Sequence, residues 1–278
     1  MTAHIGMKLM GRISIILGMS ILFAGCHKRQ NTDSGIEKAS SNGLHLFILM
    51  GQSNMAGRGK IAPIDTVVHP NVMMLTQDYE WESAREPLHF DKPAVVGVGP
   101  GLAFGKTMAE TFPDITIGLI PCAAGGSSIN KWQPGALHDQ TQSYPYDDMI
   151  KRTQFALNSG VLKGIIWHQG ESDSNQENYR VYEQHLVNLI ERLRREFNNP
   201  NLPFVVGELG GFYVEKNSYA GSINAIIHTI PQKVDHTAFA EADDLTDLGD
   251  GTHFDSKSAR IIGKRYANAM VTLLKAGK

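Results

Sequence analysis

From Leu44 to the C-terminus, short apolar runs alternate with longer segments of helical periodicity, and this alternation restricts the fold more than any single motif does. LHLFIL (44–49) suits a buried strand, and DITIGLI (114–120) is rich in β-branched residues. GIIWH (164–168), PFVVGEL (203–209) and HTAFAEA (236–242) continue the series. Between them, residues 101–112, 146–158, 176–198 and 221–230 read as helices. In the longest, Tyr182, Leu186, Ile190, Leu193 and Phe197 recur at spacings of four and three, which puts one apolar stripe against a sheet. A last helix opens at Asp255 as N-cap and carries Ile262, Tyr266, Met270 and Leu273 on one face. Strands alternating with helices of this length imply parallel strands, right-handed crossovers and helices on both faces of the sheet. Ligands then bind beyond the carboxyl ends of the strands. With no second linker, low-complexity block or internal repeat, residues 44–278 are expected to form one domain of roughly 235 residues.

Composition narrows the partners. The chain has 278 residues, 42% of them hydrophobic, enough for a sizeable core. A net charge of -2 and a pI near 6.6 give no overall electrostatic reason to bind nucleic acid or an anionic membrane surface. Near the start, Lys8 and Arg12 precede ISIILGMSILFAGC, a basic then apolar pattern too short to span a bilayer comfortably. Ending in LFAG before Cys26, it resembles a bacterial lipoprotein signal, although Phe23 stands where an aliphatic residue is usual. The resemblance implies that residues 1–25 are removed and that Cys26 carries lipid. The protein would then be extracytoplasmic and membrane-anchored, touching the membrane through this N-terminal anchor only. The same residues also fit an ordinary signal peptide with an incidental cysteine, and Met7 is a second candidate start. Residues 26–43 are polar after the cysteine and read as a flexible tether. With Cys26 lipidated, Cys122 has no partner for an intrachain disulfide.

Four clusters fall at strand or helix ends that should share one rim: GQSN (51–54), PCAAGGSSINKW (121–132), WHQGESD (167–173) and DGTHFD (250–255). A serine hydroxyl needs a base as it attacks, and histidine suits that role near neutral pH. Ser53 is the candidate nucleophile and His253 the candidate base. Asp250, three residues upstream, can hold the imidazole's tautomer. Oxyanion donors are available in the backbone N–H of Ser53, the N–H of Gly126 and the side-chain amide of Gln169. Each motif alone also fits a turn or a structural residue. The four together supply chemistry that each of the others requires.

The set GQSN, GG, HQGE and D-x-x-H, in this order across nearly the whole domain, resembles the SGNH hydrolases. Within them it is most similar to the carbohydrate esterase family 6 and sialate O-acetylesterase-like group, which removes acetyl groups from sugars. The resemblance implies a three-layer α/β/α flavodoxin-like fold with a central parallel sheet, with Ser53, Asp250 and His253 as the triad. Gln169 stands where many SGNH enzymes place asparagine. The expected partner is an acetylated carbohydrate, and the loops at 56–100 and 127–145 leave open whether it is xylan, sialic acid or another glycan. The competing readings are a non-catalytic carbohydrate-binding lipoprotein of the same fold and an SGNH esterase or lipase acting on another ester.

The remaining candidates have paired readings. Glu171 either orders Gln169 or contacts a sugar hydroxyl, or it caps a helix. Trp132 either stacks on a sugar ring or lies in the core. Gln52 and Asn54 read as loop-stabilising amides, His168 as a packed histidine and Cys122 as a small buried hydrophobe. The acidic run EADDLTDLGDGTHFD (241–255) lacks EF-hand ligand spacing, and His168 with Glu171 does not form H-E-x-x-H. No metal and no cofactor are expected.

Overall fold

The computed structural model describes residues 43–276. Cys26, the signal and the tether as far as residue 42 lie outside the described residues. The chain runs β1 (Leu44–Gly51), α1 (Ser53–Ala56), α2 (Pro63–Thr66), β2 (Val72–Leu75), β3 (Trp81–Ser83), α3 (Gly101–Thr111), β4 (Ile117–Pro121) and α4 (Pro145–Ala156). It continues β5 (Gly160–His168), α5 (Tyr179–Glu196), β6 (Phe204–Gly207), α6 (Gly211–Val214), α7 (Ala220–Lys233), β7 (Thr237–Ala240) and α8 (Ser256–Ala276).

The strands form one sheet in the order β3-β2-β4-β1-β5-β6-β7. Every pairing is parallel except β2 with β3, which adds an antiparallel edge to the expected parallel sheet. Central β1 shows why its sequence is apolar without alternation. Leu46, Ile48 and Met50 enter the core on one face, with Tyr182, Leu186 and Ile190 of α5 and Ile223 and Ile227 of α7. Phe47 and Leu49 enter the core on the other, with Phe104 and Met108 of α3 and Ile262, Tyr266 and Met270 of α8. Over Leu46–Met50, where the strand is covered on both faces, there is no position for a polar side chain; His45 falls in the partly buried start of the strand. Asp255 caps α8 as the sequence implies, its Oδ1 accepting the Ser258 N–H at 2.7 Å.

Trp132 is a core residue, so the stacking role is withdrawn. It is 1% exposed, meets Trp167 edge to face at 5.2 Å and donates Nε1–H to Ser127 Oγ at 3.0 Å. The indole fills the space under the segment after β4, where a sugar cannot reach it. Trp132→Ala is expected to destabilise the domain by about 3–5 kcal/mol, the usual cost of deleting a buried aromatic. Urea unfolding followed by circular dichroism measures this, and an unchanged midpoint contradicts the packing role.

Candidate active site

The parallel register carries β1, β4 and β5 to one edge, and the site is built where they stop. β1 ends at Gly51 with φ +133°, and a Cβ there would lie 2.1 Å from the His168 carbonyl oxygen. Only glycine lets β1 pass β5 so closely while turning. Gln52 N–H still reaches the His168 carbonyl at 2.9 Å, and the next residue, Ser53, starts α1.

Ser53 Oγ lies 2.9 Å from His253 Nε2, and His253 Nδ1 lies 2.6 Å from Asp250 Oδ2. A hydroxyl, an imidazole and a carboxylate thus form one hydrogen-bonded line. Partial burial disfavours the charge on Asp250, but the N–H groups of His253 and Thr252 and the His253 ring outweigh it. They hold the carboxyl below its ordinary range.

The histidine loop is fixed by the residue after Ser53. Asn54 Nδ2 donates to the Thr252 carbonyl at 2.9 Å, and Asn54 Oδ1 accepts the Phe254 N–H at 3.0 Å. The same Nδ2 donates to Glu171 Oε1 at 2.5 Å. Asn54 is therefore the clamp that brings residues 200 apart in sequence into register. The acidic run is tied to its own backbone in the same region: Asp247 Oδ2 accepts the N–H groups of Gly249 and Gly251. Among the described residues, no group of three or more His, Cys, Asp or Glu side chains comes together as a metal cage.

After β4, Ala124 N–H continues the ladder to the Gly51 carbonyl at 2.9 Å. Residues 124–127 then form a turn closed by Ser127 N–H to the Ala124 carbonyl at 3.1 Å, with Gly126 at φ +83°. The closing bond and the positive φ at the third residue make it a type II turn. Its carbonyls are engaged in succession. Gly125 O accepts from His138 Nε2, Gly126 O from Ser172 Oγ and Ser127 O from Gln169 Nε2, each at 3.1 Å. Gly125 N–H goes to Asp91 Oδ2 at 2.9 Å. Among the described residues, the N–H groups of Gly126 and Ser53 have no internal acceptor. Both residues line a cleft of about 740 Å³ together with Asp250 and His253.

Gln169 does not join them. It is fully buried, and its amide donates to Gln52 Oε1, Ser127 O and Asp173 Oδ2, the last at 2.6 Å. Its donors face the underside of the turn, so the side-chain oxyanion donor expected from HQGE is corrected to a support for that turn. Asp173 orients Gln169 and also accepts the Ile129 N–H at 2.8 Å, a role the sequence reading left unassigned. The cleft walls add Arg58, Lys92, Gln140 and Tyr213, which also went unread because they come from irregular loops and the four-residue α6.

Residues 43–272 match the family model described as carbohydrate esterase, sialic acid-specific acetylesterase. The chain belongs to this carbohydrate esterase family. A probable carbohydrate esterase from Arabidopsis thaliana is 33% identical over 250 residues, which span 82% of this chain and 90% of the relative. A probable 9-O-acetyl-N-acetylneuraminic acid deacetylase from Escherichia coli K12 is 23% identical over 234 residues, 66% of this chain and 71% of that one. The crystal structure of an Arabidopsis thaliana protein superposes with a TM-score of 0.73 at 30% identity, covering 83% of this chain and 98% of the other.

In this carbohydrate esterase Glu171 neither caps a helix nor touches Gln169. Its Oε1 takes the Asn54 amide, its backbone carbonyl takes the Tyr213 hydroxyl at 3.0 Å, and Oε2 is buried without a partner at the cleft. Burial is the main cause that pushes its carboxyl up to about 7, against the Asn54 hydrogen bond. A raised folded-state value means that the folded protein holds this proton more tightly than the unfolded chain. The stabilisation is full below the ordinary carboxylate value near 4.5 and is lost as pH rises through about 7. Glu171→Gln should remove that part of the slope. Its Tm relative to wild type is expected to rise between pH 5 and pH 8, and a constant difference across that range contradicts the assignment.

His168 is the packed histidine expected. It is fully buried, with Nδ1 2.9 Å from the Tyr266 hydroxyl, and burial lowers its pKa to about 3. Cys122 packs against the core, and burial pushes its thiol up to about 12, far from thiolate chemistry near neutral pH.

Proposed function

We propose that this esterase hydrolyses O-acetyl esters on carbohydrate by a serine mechanism. The observation that carries the reading is the hydrogen-bonded line from Ser53 through His253 to Asp250, open to the cleft at the Ser53 end. Ser53 Oγ attacks the acetyl carbonyl while His253 Nε2 takes its proton, and a tetrahedral intermediate forms with its negative charge on the former carbonyl oxygen. The Ser53 and Gly126 N–H groups are the donors for that oxygen. His253 returns the proton to the departing sugar oxygen, the C–O bond breaks, and an acetyl group remains on Ser53. Water then attacks with His253 again as base, releasing acetate and restoring the hydroxyl. Asp250, kept charged, stabilises the imidazolium at both stages.

The glycan is read at the level of class. The Escherichia coli relative's name points to O-acetylated sialic acid, and the cleft offers hydrogen-bonding side chains such as Arg58, Lys92, Gln140 and Tyr213 for sugar hydroxyls. Acetate release should be measured on O-acetylated sialic acid, acetylated xylan and simple acetylated monosaccharides. Release from at least one is expected; release from none, with a folded protein, refutes the reading. The binding-only alternative separates cleanly, because a binder would leave Ser53 unmodified by a serine-directed phosphonate. We also propose that the domain from residue 44 onward works outside the cytoplasm, held by lipid on Cys26.

A further inference from the structure

We propose that His138 is a positioning residue for the oxyanion donor: by donating Nε2–H to the Gly125 carbonyl, it fixes the direction in which the Gly126 N–H points. This rests on the serine esterase reading above. The peptide joining Gly125 to Gly126 carries both groups, so its carbonyl and its N–H point to opposite sides. In a turn with glycine at both central positions this peptide flips at little steric cost, since neither residue has a Cβ to resist the change between type II and type I geometry. The flipped form turns the Gly125 carbonyl toward the cleft and the Gly126 N–H away from it. An acetyl oxyanion would then meet a carbonyl oxygen where it needs a donor.

The neighbouring contacts do not prevent that rotation by themselves. Asp91, held by Arg58 at 2.7 Å, grips the Gly125 N–H, which belongs to the preceding peptide. Ser172 Oγ grips the Gly126 carbonyl, which belongs to the following one. Among the described residues His138 alone hydrogen-bonds the central peptide, at 3.1 Å. His138 is 4% exposed, and its backbone is tied to Ser143 by a pair of N–H to carbonyl bonds, so the donor is held on a braced loop. His138 does not line the cleft and touches no reacting atom. Both the neutral Nε2–H tautomer and the imidazolium supply the donor, so the role does not itself depend on pH.

The test uses the full chain with p-nitrophenyl acetate, comparing wild type with His138→Phe and His138→Gln. Phe fills a similar volume without a donor. Gln carries an amide N–H at nearly the reach of Nε2. His138→Phe is expected to lower kcat by roughly ten- to hundredfold with KM within about twofold, part of the loss seen when an oxyanion donor is deleted. His138→Gln should stay within about threefold of wild type, and the acid limb of the pH profile should be the same in all forms because the His253–Asp250 pair is untouched. A folded His138→Phe protein with wild-type kcat overturns the proposal, as does a loss confined to KM or a Gln variant as slow as the Phe variant. If the Phe variant does not fold, His138→Asn, whose amide stops short of Gly125, takes its place with the same expected loss. Wild type without turnover on p-nitrophenyl acetate and on every acetylated carbohydrate named above defeats the esterase reading and this role with it; where only a carbohydrate is turned over, the same comparison is made on that substrate. An active wild type beside an equally active His138→Phe defeats the positioning role alone.

Discussion

Ser53→Ala is expected to lower kcat on an acetyl ester by about 10⁴-fold or more, with an unfolding midpoint close to that of wild type. The asymmetry follows from what the hydroxyl does. Its hydrogen bond is to His253 Nε2 at the cleft, so deletion removes one part-exposed contact. The core beneath is built from Met55 and Ala56, and from Leu49 and Met50 of β1, none of which depends on that hydroxyl. Residual turnover should come from water acting with His253 and the two backbone donors. Steady-state kinetics with burst-phase analysis checks this. Wild-type turnover in a folded Ser53→Ala protein rules out the covalent route.

The second large effect belongs to Asp250. Asp250→Asn preserves shape and places an amide against His253 Nδ1, and it is expected to lower kcat by about 10³- to 10⁴-fold. Asp250 Oδ1 accepts the N–H groups of Thr252 and His253, and an asparagine oxygen can keep both bonds. The other end of the side chain then presents N–H₂ where Oδ2 had accepted from Nδ1. That favours the tautomer with its proton on Nε2, the wrong nitrogen for taking one from Ser53. KM should change little, because Asp250 acts through the ring. A variant within tenfold of wild type indicates that another carboxylate serves the histidine. Glu171 is the one to examine, since it also lines the cleft.

The layered fold was legible because the strands and helices that make the core have long, unmistakable patterns. The stripe from Tyr182 to Leu193 packs in the core as its spacing requires. The strands β2 and β3, four and three residues long, were not legible, since VMML and WES are too short to show a period. At the site, Ser53, His253 and Asp250 came from chemistry that demands particular residue types. Gln169 shows where such reasoning stops. An amide at a strand end can face the cleft or the packing beneath it, and what decided between them was Asp173, four residues on, pulling the amide inward. Asn54, Asp91 and His138 act by holding backbone groups. Sequence alone does not tell which backbone group a polar side chain will meet when the two lie in different loops.

The direction of β1 has a consequence for a tethered enzyme. The strand begins at Leu44, just after the proposed anchor segment, and delivers Ser53 beyond its far end, about 26 Å away along eight residues. The point of attachment and the reactive hydroxyl therefore sit at opposite poles of the sheet. With lipid on Cys26, the polar residues 27–43 give a leash that reaches at most about 60 Å when fully extended. Under the lipid-anchor proposal, the tether enters the domain at the end of β1 remote from Ser53, so the anchored end and the catalytic end of that strand are different ends.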